Sequence, residues 1–585
     1  MTEQNPIRWN FTTQTDAQGR TYVISYYNKW NPEKKQSRVA GKVHVGRLNA
    51  DTGEVTCSQK YLEAHPELIG KNLFFENRKL VERTEAEKEQ IKKEADKNLD
   101  FRCDSVSLGL TYLCREIARR HGIDGSLREI FGDGGEELLR LGIYELCSRG
   151  MAMQNYEDWL SMNYLPGAKP LSGRRISELL ASVTQEKMDA YYKIRHGRLN
   201  AIHAQKAADA KAKGVELPPM MMAVDSTSIG TYSGTIEDAS YGHAKQDSFL
   251  KQANLTLCVD YETGDTCYAY ESEGSINDMA LFPELIMRMK NCGIDLSDVL
   301  VVTDRGYSSV MNIQKQLDCR LNFLTGVRIS DDATKALIDK YKDSLNSPVF
   351  LDGKLGVYAR TAPAETWSST ADGYKIDYSV HLHLYRDGVL GELQSRDFMA
   401  NVQKVLEAKE KGTKIDSDVF RSYSKYVVYD KNSKGWHLDA GAVSKACRYN
   451  GYFAIRTNAV KNASDGLVVY RERAIVETCF RQFKVLNEGE RLMATSTSYK
   501  GKIFVHLIAQ TLRMMMMIAA CKHKAEGKNR ILPGDSLVKA MMQLQKLQAT
   551  KPAGRGVWIT KEIPKKTRDL FDLFGIQYPK KLIKN

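Results

Sequence analysis

Two apolar runs of strand length, each closing on an aspartate, constrain this chain more than any other feature. PMMMAVDSTS ends its apolar stretch at Asp225, and DVLVVTDRGY ends its own at Asp304. Runs of this kind, without alternation, suit strands buried on both faces of a sheet. LKQANLTLCVDYETGDTCYAYESEG lies between them and reads as two strands joined by a turn at Glu262 to Asp265. A helix is predicted from about 277 to 291. After Asp304 come a predicted helix near 308–318 and the strand LNFLTGV.

The order is therefore strand, hairpin, helix, strand, helix, strand. That is the order of an RNase H-like α/β domain. Ligands of open α/β sheets collect at the carboxyl ends of strands, so Asp225 and Asp304 are expected to meet at one edge. Carboxylates are hard oxygen donors suited to Mg²⁺ or Mn²⁺.

A third element completes the set. DGLVVYRERAIVETCFRQFKVL contains Tyr470, Arg473, Glu477 and Lys484, spaced Y-x2-R-x3-E-x6-K, on a helix predicted from about 471. At about 100° per residue the four fall within a sector of about 60°. Two cations flanking one acid suit a site where Glu477 holds metal while Arg473 and Lys484 hold phosphate. The same spacing also describes a solvated helix face with an Arg473–Glu477 ion pair.

Charge agrees with a polyanionic partner: 85 Lys+Arg stand against 72 Asp+Glu, a net +13. The 42% hydrophobic content is that of a folded protein, not a disordered one. The 11 cysteines include no C-x-x-C pair, which fits neither a zinc ribbon nor a disulfide scaffold and suits a reducing cytosol. The N-terminus shows no signal-peptide pattern. The most apolar run, Ile503 to Cys521, contains His506, Gln510 and Arg513 on one helical face. It reads as an amphipathic helix rather than a membrane span, and its MMMM as core packing.

The rest of the chain divides by texture. Residues 1–80 form a small β-rich module and candidate DNA-binding unit, with basic residues clustered in KWNPEKKQSR. Residues 81–217 are helical and a candidate DNA-binding region, opening with a charged connector helix over 81–100. Within it LSGRRISELL, with Ser172 as cap and Arg174 and Arg175 in the first turn, reads as a recognition helix or an ordinary surface helix. The core follows at 218–329, interrupted by a β-rich insertion at 330–465 and resumed at 466–525. Residues 526–585 are a candidate dimerisation or DNA-contact region. His381 and His383 share one strand face in the insertion; without a third ligand they read as structural rather than metal-binding.

These motifs together resemble a known family. AVDSTS, SYGHAKQ, VVTDRGY, GYFAIRTN, YRERAIVETCFRQFK and KGKIFVHLIAQTL occur in order between about 219 and 520. The series resembles the DDE transposases of bacterial insertion sequences that carry the Y-R-E-K signature, the insertion-sequence-four superfamily, in its long-chain branch. The resemblance implies that Asp225, Asp304 and Glu477 are the catalytic acids. It also implies two Mg²⁺ or Mn²⁺ ions per site, and DNA contacts from Tyr470, Arg473 and Lys484. The expected partners are double-stranded DNA (terminal inverted repeats and target) and a second copy in a synaptic homodimer, in the bacterial cytoplasm and with no membrane. One relative has a tryptophan three residues before the glutamate, where this chain has Ala474; Trp367 and Trp436 match no motif. Two other functions fit the same residues: a transposase-derived DNA-binding protein without catalysis, and an RNase H-fold metal-dependent nuclease.

Overall fold

Both acid-bearing runs become neighbouring strands of one sheet. The computed structural model describes all residues except 1–7, 17–19, 33–35, 99–102, 243–248, 372–373, 432–433, 487–488, 490–491, 528–531, 553–556 and 585. SYGHAKQ from His243 onward and the centre of KWNPEKKQSR therefore lie outside the described residues. The chain divides into two compact units. One is Met1–Leu113, Leu160–Lys169 and Leu532–Asn585; the other is Cys114–Trp159 and Pro170–Ile531.

The first unit opens with an antiparallel sheet of β1 (Asn10–Thr15), β2 (Thr21–Asn31), β3 (Gln36–Leu48) and β4 (Val55–Cys57), in that order. Val23, Val45 and Val55 project from it into a small core with Tyr61 and Leu73. A second four-stranded sheet joins Cys103–Ser107 to Gln548–Pro552, Val557–Thr560 and Leu582–Lys584. Residues 81–217, read from sequence as one helical region, are thus shared between the two units, and much of 526–585 folds with residue 103 onward.

In the second unit, helices α1 (Asp133–Ser148), α2 (Gly173–Ala181) and α3 (Gln185–Lys211) precede the sheet. Ser172 caps α2, its Oγ accepting from the Arg175 N–H at 3.2 Å. Arg174 pairs with Glu178 at 2.8 Å and Arg175 with Glu137 at 2.5 Å. Both first-turn arginines are thus engaged with acids of the same unit.

The sheet begins with β5 (Met220–Thr231), β6 (Lys251–Asp260) and β7 (Thr266–Glu273). Next come α4 (Asp278–Asn291), β8 (Val299–Thr303), α5 (Val310–Asp318) and β9 (Asn322–Val327). Helix α6 (Asp332–Leu345), strands β10 (Leu351–Asp352), β11 (Val357–Thr361), β12 (Glu365–Ala371) and β13 (Tyr374–Arg386), helix α7 (Gly388–Lys411) and strand β14 (Tyr452–Thr457) follow. The strand order is β7-β6-β5-β8-β9-β14-β13-β11-β10, with β12 paired to the first half of β13. Strands β5, β8 and β9 run parallel; their neighbours on either side are antiparallel. The 330–465 segment, expected to be β-rich with a helix over 388–412, extends the same sheet and carries that helix as α7.

His383 shows how that extension is packed. Its Nδ1 meets Thr361 Oγ1 at 3.0 Å and its Nε2 meets the Val460 carbonyl oxygen at 3.0 Å. Burial lowers its pKa from 6.5 to about 4. The unfolded chain keeps the higher value, so between pH 4 and 6.5 the unfolded state binds more protons. The stabilisation is complete above 6.5 and is lost as pH falls toward 4. From pH 7 to pH 5 wild type should lose about 2 kcal/mol more stability than His383→Gln. Equal losses in urea melts at the two pH values would contradict this.

Helices α8 (Ala463–Glu472), α9 (Ala474–Arg481) and α10 (Ser496–Ala525) end the unit. Among the described residues α10 is the one helix long and apolar enough to cross a membrane, but 83% of its apolar stretch is buried inside the protein. It packs on α1, α2 and α9. The polar face of this helix is buried: Arg513 donates to the Leu146 carbonyl at 3.2 Å, His506 lies 3.3 Å from Glu145, and Gln510 accepts from Thr266. Met514, Met515 and Met516 are core residues, as their apolarity predicts.

Candidate active site

Asp225 lies within β5, not at its end, because β5 continues to Thr231 against β6. Its parallel neighbour β8 stops sooner. Val224 pairs with Thr303, so Asp225 and Asp304 follow at the same level on adjacent strands, about 4.8 Å apart in backbone. The expected meeting of the two acids is thus made by register rather than by two strand ends.

Asp304 is held by its own turn. Its Oδ1 accepts the Gly306 N–H at 2.6 Å, and a Cβ on Gly306 would stand 2.8 Å from that oxygen. Tyr307 then buries its ring edge-on against Phe282, with centroids 5.2 Å apart. The D-R-G-Y string is therefore one device: acid, exposed arginine, glycine for the approach, and aromatic anchor.

Glu477 lies on α9, which packs on β5. Its side chain is 57% exposed, whereas that of Arg473 is 13% exposed. Arg473 bridges the acids, donating to Glu477 Oε1 at 2.7 Å and to Asp225 Oδ2 at 3.3 Å. Burial opposes its charge, but Tyr470, Asp225, Glu477 and Asp304 around it raise its pKa above the ordinary value. Among the described residues no group of three or more His, Cys, Asp or Glu is arranged to hold a metal ion. The cation between Asp225 and Glu477 is this guanidinium.

The single helix expected from about 471 is broken. Arg473 ends α8 and begins α9, and Gln482–Leu486 forms a π-helical turn containing Lys484. At the break the Arg473 N–H turns to the Tyr470 carbonyl, and the Val469 carbonyl accepts from the Tyr261 hydroxyl at 3.2 Å. A straight 100° rotation therefore does not set the relation of Tyr470, Glu477 and Lys484. Tyr470 is brought beside the second acid all the same. Burial pushes its phenol pKa up, Arg473 and Arg305 lower it, and Asp304 adds to the rise. A Cβ on Gly326 of β9 would stand 2.4 Å from the Tyr470 hydroxyl. Sequence reading missed Gly306, Gly326 and the exposed Arg305 and Arg328, whose Nε donates to the Arg305 carbonyl at 3.2 Å. The signal was present as a glycine inside the strand LTGV, which marks close approach by another group.

The family model described as a transposase DDE domain matches residues 217–512, half of the chain and all of the residues above. The chain belongs to the DDE transposase family. No curated protein matches it. A cryo-EM structure described as a piggyBac transposase synaptic complex with hairpin DNA aligns with 75% of this chain and 79% of its own. The identity is 12% and the TM-score 0.32, a likeness too slight to bear on the fold or the site.

For this DDE transposase, Gly326→Ala should displace the Tyr470 hydroxyl and slow DNA cleavage about tenfold, the scale of a small misplacement at a reacting centre. In single-turnover cleavage, Gly326→Ala with Tyr470→Phe should be no slower than Tyr470→Phe alone. Multiplying defects would show that Gly326 acts by another route.

Proposed function

We propose that the protein is the transposase of a bacterial insertion sequence, which binds the element's terminal inverted repeats, cleaves there, and joins the freed 3′-OH ends to target DNA. The observation that carries this reading is the level placement of Asp225 and Asp304 on adjacent parallel strands, with Glu477 tied to Asp225 through Arg473. The β7-β6-β5-β8-β9 order, an antiparallel hairpin followed by parallel strands, supports an RNase H-like core that the 330–465 segment interrupts.

The three carboxylates are all hard oxygen donors, and two of them, Asp225 and Glu477, already hold a cationic group between them, so the donor set fits Mg²⁺ or Mn²⁺. Asp225, Asp304 and Glu477 would hold the ions. When bound, two such ions supply the acidity that makes water or a 3′-OH nucleophilic and the charge that the leaving 3′-oxygen needs. The protein's own part is positioning. The Gly306 amide fixes the Asp304 carboxylate, and the Tyr470 hydroxyl lies over Gly326 on the adjoining strand. Arg473, together with Arg305, Arg328 and Lys484, offers positive charge to the phosphates flanking the scissile bond. Water or a 3′-OH then attacks phosphorus in line with the departing oxygen. Two copies would hold the two ends in one complex.

The test is cleavage of labelled DNA carrying the element's own ends, with Mg²⁺, Mn²⁺ or EDTA. Metal-dependent cutting at the ends followed by joining to a target plasmid is expected. Cutting without joining would make the protein a nuclease, and binding without cutting in either metal would make it a non-catalytic DNA-binding protein.

A further inference from the structure

The outer half of the β2–β3 hairpin has no other strand beside it. β1 pairs β2 only as far as Tyr26, and β4 pairs β3 only over Gly46–Leu48. Beyond Tyr27 the two strands continue alone to Asn31 and back from Gln36, about 14 Å of two-stranded ribbon. Its base is firmly mounted. The Tyr27 ring lies over Gly41, where a Cβ would stand 2.2 Å from Cε1, and meets Trp9 edge-on at 4.8 Å.

The ribbon's composition works against its own stability. Lys29 pairs directly with Arg38, and Trp30 with Ser37. Like charges opposite each other destabilise a strand pair, and no described acid forms an ion pair with either. Residues 21–48 hold six lysines and arginines against one acid, Glu33. Trp30 is 64% exposed, apolar surface that gains nothing from water but much from a flat or apolar partner.

A polyanion with a groove answers all three features. The major groove of B-DNA, about 12 Å wide, admits a two-stranded β-ribbon. We propose that the β2–β3 ribbon docks into duplex DNA with its two faces against opposite walls of the groove, Lys29 and Arg38 on one face holding phosphates and Trp30 on the other packing against the groove. This rests on the proposed function only in taking DNA as the partner.

The experiment is binding of the full-length chain to a fluorescent duplex across a salt series. The proteins compared are wild type, Lys29→Ala/Arg38→Ala, Trp30→Ala, and a control of equal charge loss in the exposed part of the 330–465 segment, Lys404→Ala/Lys414→Ala. The first pair should flatten the salt slope by about two and weaken binding about tenfold at physiological salt. Trp30→Ala should weaken it about fivefold or more without changing the slope. Matched melting curves would show that the fold is kept. Ribbon variants that bind like wild type, or a control pair that loses as much, would overturn the ribbon proposal while leaving the transposase reading standing. A wild type that binds no duplex would overturn both.

Discussion

Replacing Asp304 with asparagine is expected to lower metal-dependent DNA cleavage at least about a thousand-fold, while duplex binding stays within about twofold of wild type. The substitution conserves volume, and the amide oxygen can still accept the Gly306 N–H, so the turn that presents residue 304 remains. Tyr307 still anchors that turn against Phe282. What disappears is one negative charge level with Asp225 on the adjoining strand. A neutral amide is a far poorer ligand than a carboxylate for a hard divalent cation. Glu477→Gln should behave in the same way, and the Asp304→Asn/Glu477→Gln double variant should be little worse than either alone, because the groups act as a unit. Cleavage of Asp304→Asn within about tenfold of wild type would show that the chemistry is not done at this pair of strands.

The second large effect is on stability. Arg195 of α3 and Asp265, in the turn between β6 and β7, form an ion pair whose side chains are each 2% exposed. Burial opposes the guanidinium's charge, and the Asp265 carboxylate more than restores it. The same guanidinium donates to the His121 carbonyl. Asp265→Ala leaves that charge buried without its counter-ion, at a cost of about 3–5 kcal/mol, a large share of the roughly 5–15 kcal/mol that stabilises a folded domain. Removing both charges together, Arg195→Met with Asp265→Leu, should recover most of the loss. Urea unfolding measures it. An Asp265→Ala midpoint near that of wild type would mean that the pair is not desolvated as its burial indicates.

Much of this protein was legible from local pattern. The apolar runs before Asp225 and Asp304 became buried strands, and the turn at Glu262 to Asp265 became the hairpin between β6 and β7. The helices predicted at 277–291 and 308–318 formed as α4 and α5. The Arg473–Glu477 pair, four residues apart, formed its ion pair. Each depends on neighbours within a few residues, whose apolar periodicity and turn chemistry are written in the chain itself.

Four features depended on partners far away in sequence, and no local pattern revealed them. Asp225 sits inside its strand because β6 pairs with it beyond the point where β8 ends. The catalytic-helix candidate breaks at Arg473 where the Val469 carbonyl finds the Tyr261 hydroxyl. The polar stripe of α10 is buried against α1, where Glu145 lies beside His506 and the Leu146 carbonyl accepts from Arg513. The last strands of the chain fold beside Cys103–Ser107. Local chemistry along the chain set which residues are apolar, which carry charge, and where short elements start and stop. The tertiary structure decided register, helix breaks and the fate of buried polar groups, because each is set by hydrogen-bonding and packing partners that only the folded chain brings together.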